Sequence, residues 1–208
     1  VAALMSGVKP GETVLDLCAG AGGKTLALAA MLKNKGKVVA HDADRHRLRP
    51  IFERMTRAGA TNIDIVAADE GSKLDEMGGF DCVLIDAPCS GSGSWRRKPD
   101  AKWRLAEIQL KQRIKEQREV LEKGAALVKD VGRLVYITCS VLPEENTAQV
   151  EAFLKAHKNF EIIPYAKQWA AAIGLPAPES ADGSHDTLLL TPARHGTDGF
   201  FIAVMRRS

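Results

Sequence analysis

Five short apolar runs, separated by longer segments with polar faces, constrain this chain more than any other feature: VLDL from Val14, VVAH from Val38, IDIVA from Ile63, FDCVLID from Phe80 and RLVYIT from Arg133. β-Branched and aromatic residues favour a pleated surface, and continuous apolar runs of this length suit strands buried on both faces. The intervening segments read as helices. Residues 24–33 (KTLALAAMLK) are strong helix formers, and residues 44–58 set charges around Leu48, Ile51, Phe52 and Met55. Residues 103–128 put Leu110, Ile114 and Leu121 on a helical face that Gln117 interrupts. After Thr138, Pro143 followed by Glu144 and Glu145 marks a helix start, since proline suits the first turn and carboxylates suit the positive end of the dipole. Val150, Phe153 and Leu154 then face inward. This alternation predicts βαβ units and an α/β, doubly wound, mostly parallel sheet that binds ligands at the carboxyl ends of its strands.

Residues 161–186, rich in Pro, Gly, Ala and Ser, read as a loop with one short helix. TLLLTP from Thr187 and FFIAVM from Phe200 follow as a C-terminal antiparallel strand pair, joined by ARHGTDG with Asp198 and Gly199 as the turn. With 208 residues, 45% of them hydrophobic and 26% charged, residues 1–208 suit a single domain. No stretch approaches the ~20 apolar residues of a membrane span, and VAALMSGVKPGE has no basic-then-apolar leader pattern, so a soluble, cytoplasmic protein is expected. The four cysteines, Cys18, Cys82, Cys89 and Cys139, lack metal-ligand spacing, so no metal site and no disulfide framework is expected. The net charge of +3 identifies no partner by itself. A monomer is the default expectation.

Leu15 to Lys24 reads LDLCAGAGGK and joins a strand to a helix. Gly20, Gly22 and Gly23 let backbone approach a ligand, or serve only as a tight turn; their spacing is neither the dinucleotide fingerprint nor a phosphate loop. Asp42 closes the second strand, where a carboxylate accepts both hydroxyls of a ribose, or caps the next helix. Asp69 follows the third strand, within reach of an adenine amino group by the same logic, and Asp86 ends the fourth. With Asp16, these four strand-end carboxylates would repel a pyrophosphate and suit a positively charged nucleoside such as S-adenosylmethionine.

Cys89 in DAPCSG and Cys139 in TCS both follow strands, and therefore point to the same rim as the cofactor end. Carbon 5 of a pyrimidine is too weak a nucleophile to take a methyl group directly, whereas thiolate addition at carbon 6 converts the ring into an enamine that can. A free thiol is mostly protonated at neutral pH; the expected helix start beyond Cys139 and a cation such as Lys24 would help ionise it. Cys82, inside its strand, reads as a small buried hydrophobe. WRRK from Trp95 and KWR from Lys102 mix cations for phosphates with aromatics for bases, although a solvated charged surface over packed tryptophans is the ordinary reading of such a segment. The arginines at 45, 47, 49, 54 and 57 read as the polar face of a surface helix. His41, His46 and His185 receive no role, and His195 shapes a turn.

DLCAGAGGKT, DAPCSGSGSWRRKPDAKWR, ITCSVLPEENTAQVEAFL and TPARHGTDGFFIA resemble, in order and spacing, motifs of the Sun/RsmB and Nop2/NSUN family of RNA 5-methylcytosine methyltransferases. The resemblance spans nearly the whole chain. It implies a Rossmann-like class I fold, S-adenosylmethionine as cofactor and RNA as partner, ribosomal RNA ahead of transfer RNA. It also implies that Cys139 is the nucleophile and that Cys89 helps release the product, with Asp86 near the cytosine ring. Cys18, Ala19, Gly20, Ala21, Gly22, Gly23 and Lys24 become the methionine-side loop, with Asp42, Asp69 and Asp86 around the cofactor. Ala21 stands where the family usually has proline, and the family's amino-terminal RNA-binding region is expected to be missing. Three other readings remain: a non-catalytic RNA-binding ribosome assembly factor, a nicotinamide-dependent oxidoreductase disfavoured by the glycine spacing, and a DNA-type methyltransferase attacking through Cys89.

Overall fold

In the computed structural model, which describes residues 1–208, all five apolar runs become adjacent parallel strands. They are β1 (Thr13–Asp16), β2 (Lys37–His41), β3 (Ile63–Val66), β4 (Phe80–Asp86) and β5 (Val128–Thr138). Three more follow: β6 (Phe160–Ile163), β7 (Leu188–Leu190) and β8 (Phe200–Arg207). The order across the sheet is β3-β2-β1-β4-β5-β8-β6, with β7 also on β8; β8 runs antiparallel to β5, β6 and β7. The chain reverses its strand order beside β1, between β2 and β4, and there the carboxyl ends open a crevice.

Alternating side chains fill two cores, one on each face of the sheet. Val14, Val38, Cys82, Leu84 and Val135 pack beneath the Gly23–Met31 helix with Leu48 and Ile51. Leu15, Val39, Val83, Ile85, Leu134 and Tyr136 pack on the other side against Leu121 and Ala125 of the Glu107–Ala126 helix and Val150 and Phe153 of the Thr147–Ala156 helix. Burial on both faces explains why the strands read as unbroken apolar runs rather than alternating ones.

Several elements depart from the sequence reading for identifiable reasons. Residues 44–58 form two helices, Arg45–Leu48 and Ile51–Ala58, because Pro50 between them has no N–H to continue the ladder. Residues 103–128 likewise divide between Pro99–Arg104 and Glu107–Ala126, where Leu105 turns to an extended ψ of 112°. Pro143–Glu145 makes only one 3-10 turn, and the regular helix starts at Thr147 after Asn146 leaves helical geometry at φ −116°, ψ −101°. The expected loop at 161–186 does hold a short helix, Tyr165–Ile173, but begins within the unanticipated strand β6. Gly199 is not the tip of a tight turn: residues 191–199 include the helical turn Pro192–His195, and a Cβ on Gly199 would lie 2.6 Å from the Gly93 Cα. The glycine is there for close backbone contact, and its N–H donates to the Gly93 carbonyl at 2.8 Å. No helix is long and apolar enough to cross a membrane.

Candidate active site

The first loop places its groups through the end of β1. Gly22, at φ +81°, caps the Gly23–Met31 helix, and a Cβ there would strike the Ile51 Cγ1 at 2.4 Å. Only glycine satisfies both the left-handed backbone and that packing. Asp42, buried just past β2, accepts from the Gly20 N–H at 2.8 Å and the Asp44 N–H at 2.9 Å, with Arg47 Nη1 at 3.4 Å. The carboxylate thus holds the glycine loop and the next helix start in one place. At the end of β4, Asp86 accepts from Lys24 Nζ at 2.6 Å, and the Phe200 ring centroid lies 5.4 Å from the same ammonium.

Asp16 is wholly buried; Oδ2 accepts from the Thr25 hydroxyl at 2.7 Å while Oδ1 has no hydrogen-bond partner. Burial, above all, raises its pKa from 3.8 to about 7, opposed by Thr25 and reinforced by Asp86. The folded chain therefore holds this proton more tightly than the unfolded chain. The resulting stabilisation is complete below pH 4 and is lost as pH rises through 7. Asp16→Asn is expected to flatten that part of the pH profile in urea unfolding, and an unchanged profile would rule out this origin.

The two rim cysteines meet: Cys89 Sγ lies 3.3 Å from Cys139 Sγ. The shared hydrogen bond holds Cys139 below the usual thiol range and pushes Cys89 up; burial and Asp86 oppose ionisation of Cys139, and Lys24 favours it. The neighbouring thiol, rather than a helix start, is thus the first cause of the Cys139 shift. Burial, first of all, drives Cys18 and Cys82 up to about 12, which leaves them inert beside this pair.

A cavity of about 760 Å³ brings together Cys18, Asp42, Asp86, Cys89 and Cys139. A smaller one of about 230 Å³ adjoins it through Cys18, Arg47 and Asp86 and adds Asp16, Ala19, Gly20, Ala21, Gly23 and Lys24. Two expected site residues stand outside both. Gly22 packs against Ile51, and Asp69 lies exposed at the start of the 3-10 segment Ala68–Met77.

Other residues join the site without having been anticipated. Arg47 lines both cavities, and His41, with Nδ1 3.2 Å from the Val66 carbonyl, lines the larger. Beneath the thiols, the buried carboxylate of Glu145 accepts from the Ser90 N–H at 2.7 Å, the Ser90 hydroxyl at 2.5 Å and the Gln117 amide at 3.0 Å. That amide also donates to the Pro88 carbonyl at 2.9 Å. Gly93 N–H donates to the Cys139 carbonyl, and the Ser92 and Ser140 hydroxyls lie 2.9 Å apart. Glu145 and Gln117 therefore fasten the Cys89 loop directly above the Cys139 loop. Asp44 as the helix cap was the available signal for Arg47, since it sets the first turn facing back toward Asp42; the sequence held no comparable signal for Glu145.

The residues present fit S-adenosylmethionine: the Asp42 carboxylate lines the larger cavity, glycine backbone edges the smaller one, and the crowded carboxylates with the unpartnered Asp16 Oδ1 favour a cation.

Comparison with known proteins agrees. The family model of the 16S rRNA methyltransferases RsmB/F matches residues 3–206. A probable ribosomal RNA small subunit methyltransferase B of Bacillus subtilis is 40% identical over 96% of this chain and 44% of its own length. The enzyme named ribosomal RNA small subunit methyltransferase B in Yersinia enterocolitica is 37% identical over 86% of the chain and 42% of its own length. The chain thus spans less than half the length of these relatives. Among solved structures, NSun6 from Pyrococcus horikoshii, crystallised with the S-adenosylmethionine analogue SFG, superposes with a TM-score of 0.82 at 27% identity, covering 100% of this chain and 52% of that one. A methyltransferase homologue from the same organism gives 0.75 at 33% identity, over 96% and 63% of the two chains. With this fold, this cofactor crevice and a family match over nearly its whole length, the chain belongs to the RsmB/F family of 16S rRNA methyltransferases.

Proposed function

We propose that the protein methylates carbon 5 of a cytosine in ribosomal RNA, with Cys139 as covalent nucleophile and Cys89 assisting release. The observation that carries this reading is the thiol pair 3.3 Å apart on the rim of the cofactor cavity, beside Asp86 and Lys24. The names of the relatives supply ribosomal RNA as the substrate class.

Cys139, held below the usual thiol range, adds as thiolate to carbon 6 of the ring, and the displaced electron pair makes carbon 5 nucleophilic. Asp86, which accepts from Lys24 Nζ at 2.6 Å, lies beside the thiols, where this pair would hydrogen-bond ring nitrogen 3 as negative charge develops there. S-adenosylmethionine, when bound, supplies an electrophilic methyl group. Removal of the carbon 5 proton by a base then returns the electrons to the ring, and the bond from carbon 6 to sulfur breaks. The Cys89 S–H, hydrogen-bonded to Cys139 Sγ, stabilises the departing thiolate. Asp42 orients the cofactor ribose throughout, and the Glu145 clamp keeps Cys89 in register. A cytosine in a duplex would have to unstack to reach the thiols, so the substrate is flipped or single-stranded.

The test is to digest treated RNA to nucleosides and identify the methylated atom by chromatography and mass spectrometry. 5-Methylcytidine is the expected product, and Cys89→Ala is expected to accumulate an RNA adduct that survives denaturing electrophoresis. Methylation at a ring nitrogen, the exocyclic amine or a ribose oxygen would refute the carbon 5 assignment.

A further inference from the structure

We propose that the Pro99–Arg104 helix is a docking platform for single-stranded RNA, on which Trp103 stacks a base flanking the target cytosine. The identity of the occupant rests on the function proposed above; the existence of a platform rests on the helix itself. That helix has no buried residue, so the core does not account for its presence. Trp103 is 84% exposed, although indole is the largest side chain a protein can bury, and Lys102 Nζ lies 5.6 Å from its ring centroid. The other two tryptophans differ: Trp95 and Trp169 both bury their indole nitrogens.

Charge selects the partner. Residues 95–104 carry Arg96, Arg97, Lys98, Lys102 and Arg104 against Asp100 alone, a net +4 where the entire chain has +3. Arg96 and Arg97 converge on Asp198, which anchors the segment beside the Gly199 backbone; Arg104 pairs with Asp100 within its own helix. Exposed pairs of this kind bind weakly and yield to a phosphate. A polyanion with flat apolar bases matches a cationic surface bearing an exposed indole better than an apolar protein face does. The platform is also close in the chain to the chemistry: Gly93 donates to the Cys139 carbonyl, and only residues 94–98 separate it from Pro99.

The experiment measures binding of a fluorescein-labelled, unstructured oligoribonucleotide to wild type, Trp103→Ala and Trp103→Phe at several salt concentrations, with S-adenosylmethionine affinity measured in parallel. Loss of a stacked base is expected to weaken RNA binding about tenfold in Trp103→Ala, with most of the affinity retained in Trp103→Phe. The salt dependence should be unchanged in both, whereas Lys102→Ala should reduce it. Unaltered RNA affinity in Trp103→Ala would overturn the platform, as would a loss matched by loss of cofactor affinity. Self-association or capture of a protein that depends on Trp103, with RNA binding unaffected, would overturn it in favour of a protein partner. Wild type that binds RNA through Trp103 yet forms no 5-methylcytidine would contradict the proposed reaction and leave the platform standing.

Discussion

Cys139→Ala is expected to lower turnover by more than about a thousandfold while S-adenosylmethionine affinity stays near wild type. The asymmetry follows from geometry. Cys139 stands on the rim with its sulfur against Cys89, whereas Asp42 and the glycine loop, which we propose hold the cofactor, are held by one another and by Arg47. Cys18 and Cys82 cannot take its place, because burial drives both up to about 12. The pH dependence carries the same information. The thiolate fraction grows as pH rises through a lowered Cys139 pKa, so the ascending limb of the rate profile should lie below that of an ordinary thiol. Cys89→Ala removes the hydrogen bond that is the first cause of that shift and should move the limb to higher pH. A Cys139→Ala protein with more than a tenth of wild-type turnover would contradict the assignment.

The second large effect lies beneath the chemistry. Glu145→Ala is expected to destabilise the fold by about 2–4 kcal/mol in urea unfolding, because it strands one buried Gln117 donor together with the half-buried Ser90 N–H and hydroxyl. Glu145→Gln keeps an accepting oxygen and should lose about half as much. The Ser90 loop carries Cys89, so both variants should slow product release more than they weaken cofactor binding. A cost within about 0.5 kcal/mol, the size of an ordinary surface substitution, would mean that the clamp does not hold the loop.

The parallel half of the sheet was legible because burial on both faces leaves uninterrupted apolar runs, and the strand-end positions of Asp42, Asp86, Cys89 and Cys139 followed from it. Strand β6 was not legible: four residues at the sheet edge, paired only with β8, leave too short a pattern beside a loop of small residues. Pro50 was a visible break that the surrounding helical stripe obscured. Side-chain convergence was harder still. Gln117 looked like a flaw in an apolar stripe, yet it is fully buried and bonds both Pro88 and Glu145, so the interruption is itself part of the site's support. Glu145 looked like a carboxylate at a helix start and instead faces the Ser90 loop across 55 positions of sequence. Arg47 was one of five arginines in a surface helix, and only the fold distinguishes the one beside Asp42. Asp69, also at a strand end, is exposed at the start of the Ala68–Met77 segment, and its position alone does not say which way its carboxylate turns.

The central claim is that Cys139, not Cys89, bonds to the cytosine. Its most direct test is mass spectrometry of the protein mixed with S-adenosylmethionine and RNA carrying 5-fluorocytosine, in which fluorine replaces the proton that must leave and the adduct is trapped. The account predicts a covalent RNA adduct mapped to Cys139, present in wild type and Cys89→Ala and absent in Cys139→Ala. An adduct that persists in Cys139→Ala and disappears in Cys89→Ala would contradict it and transfer the nucleophile's role to the other thiol.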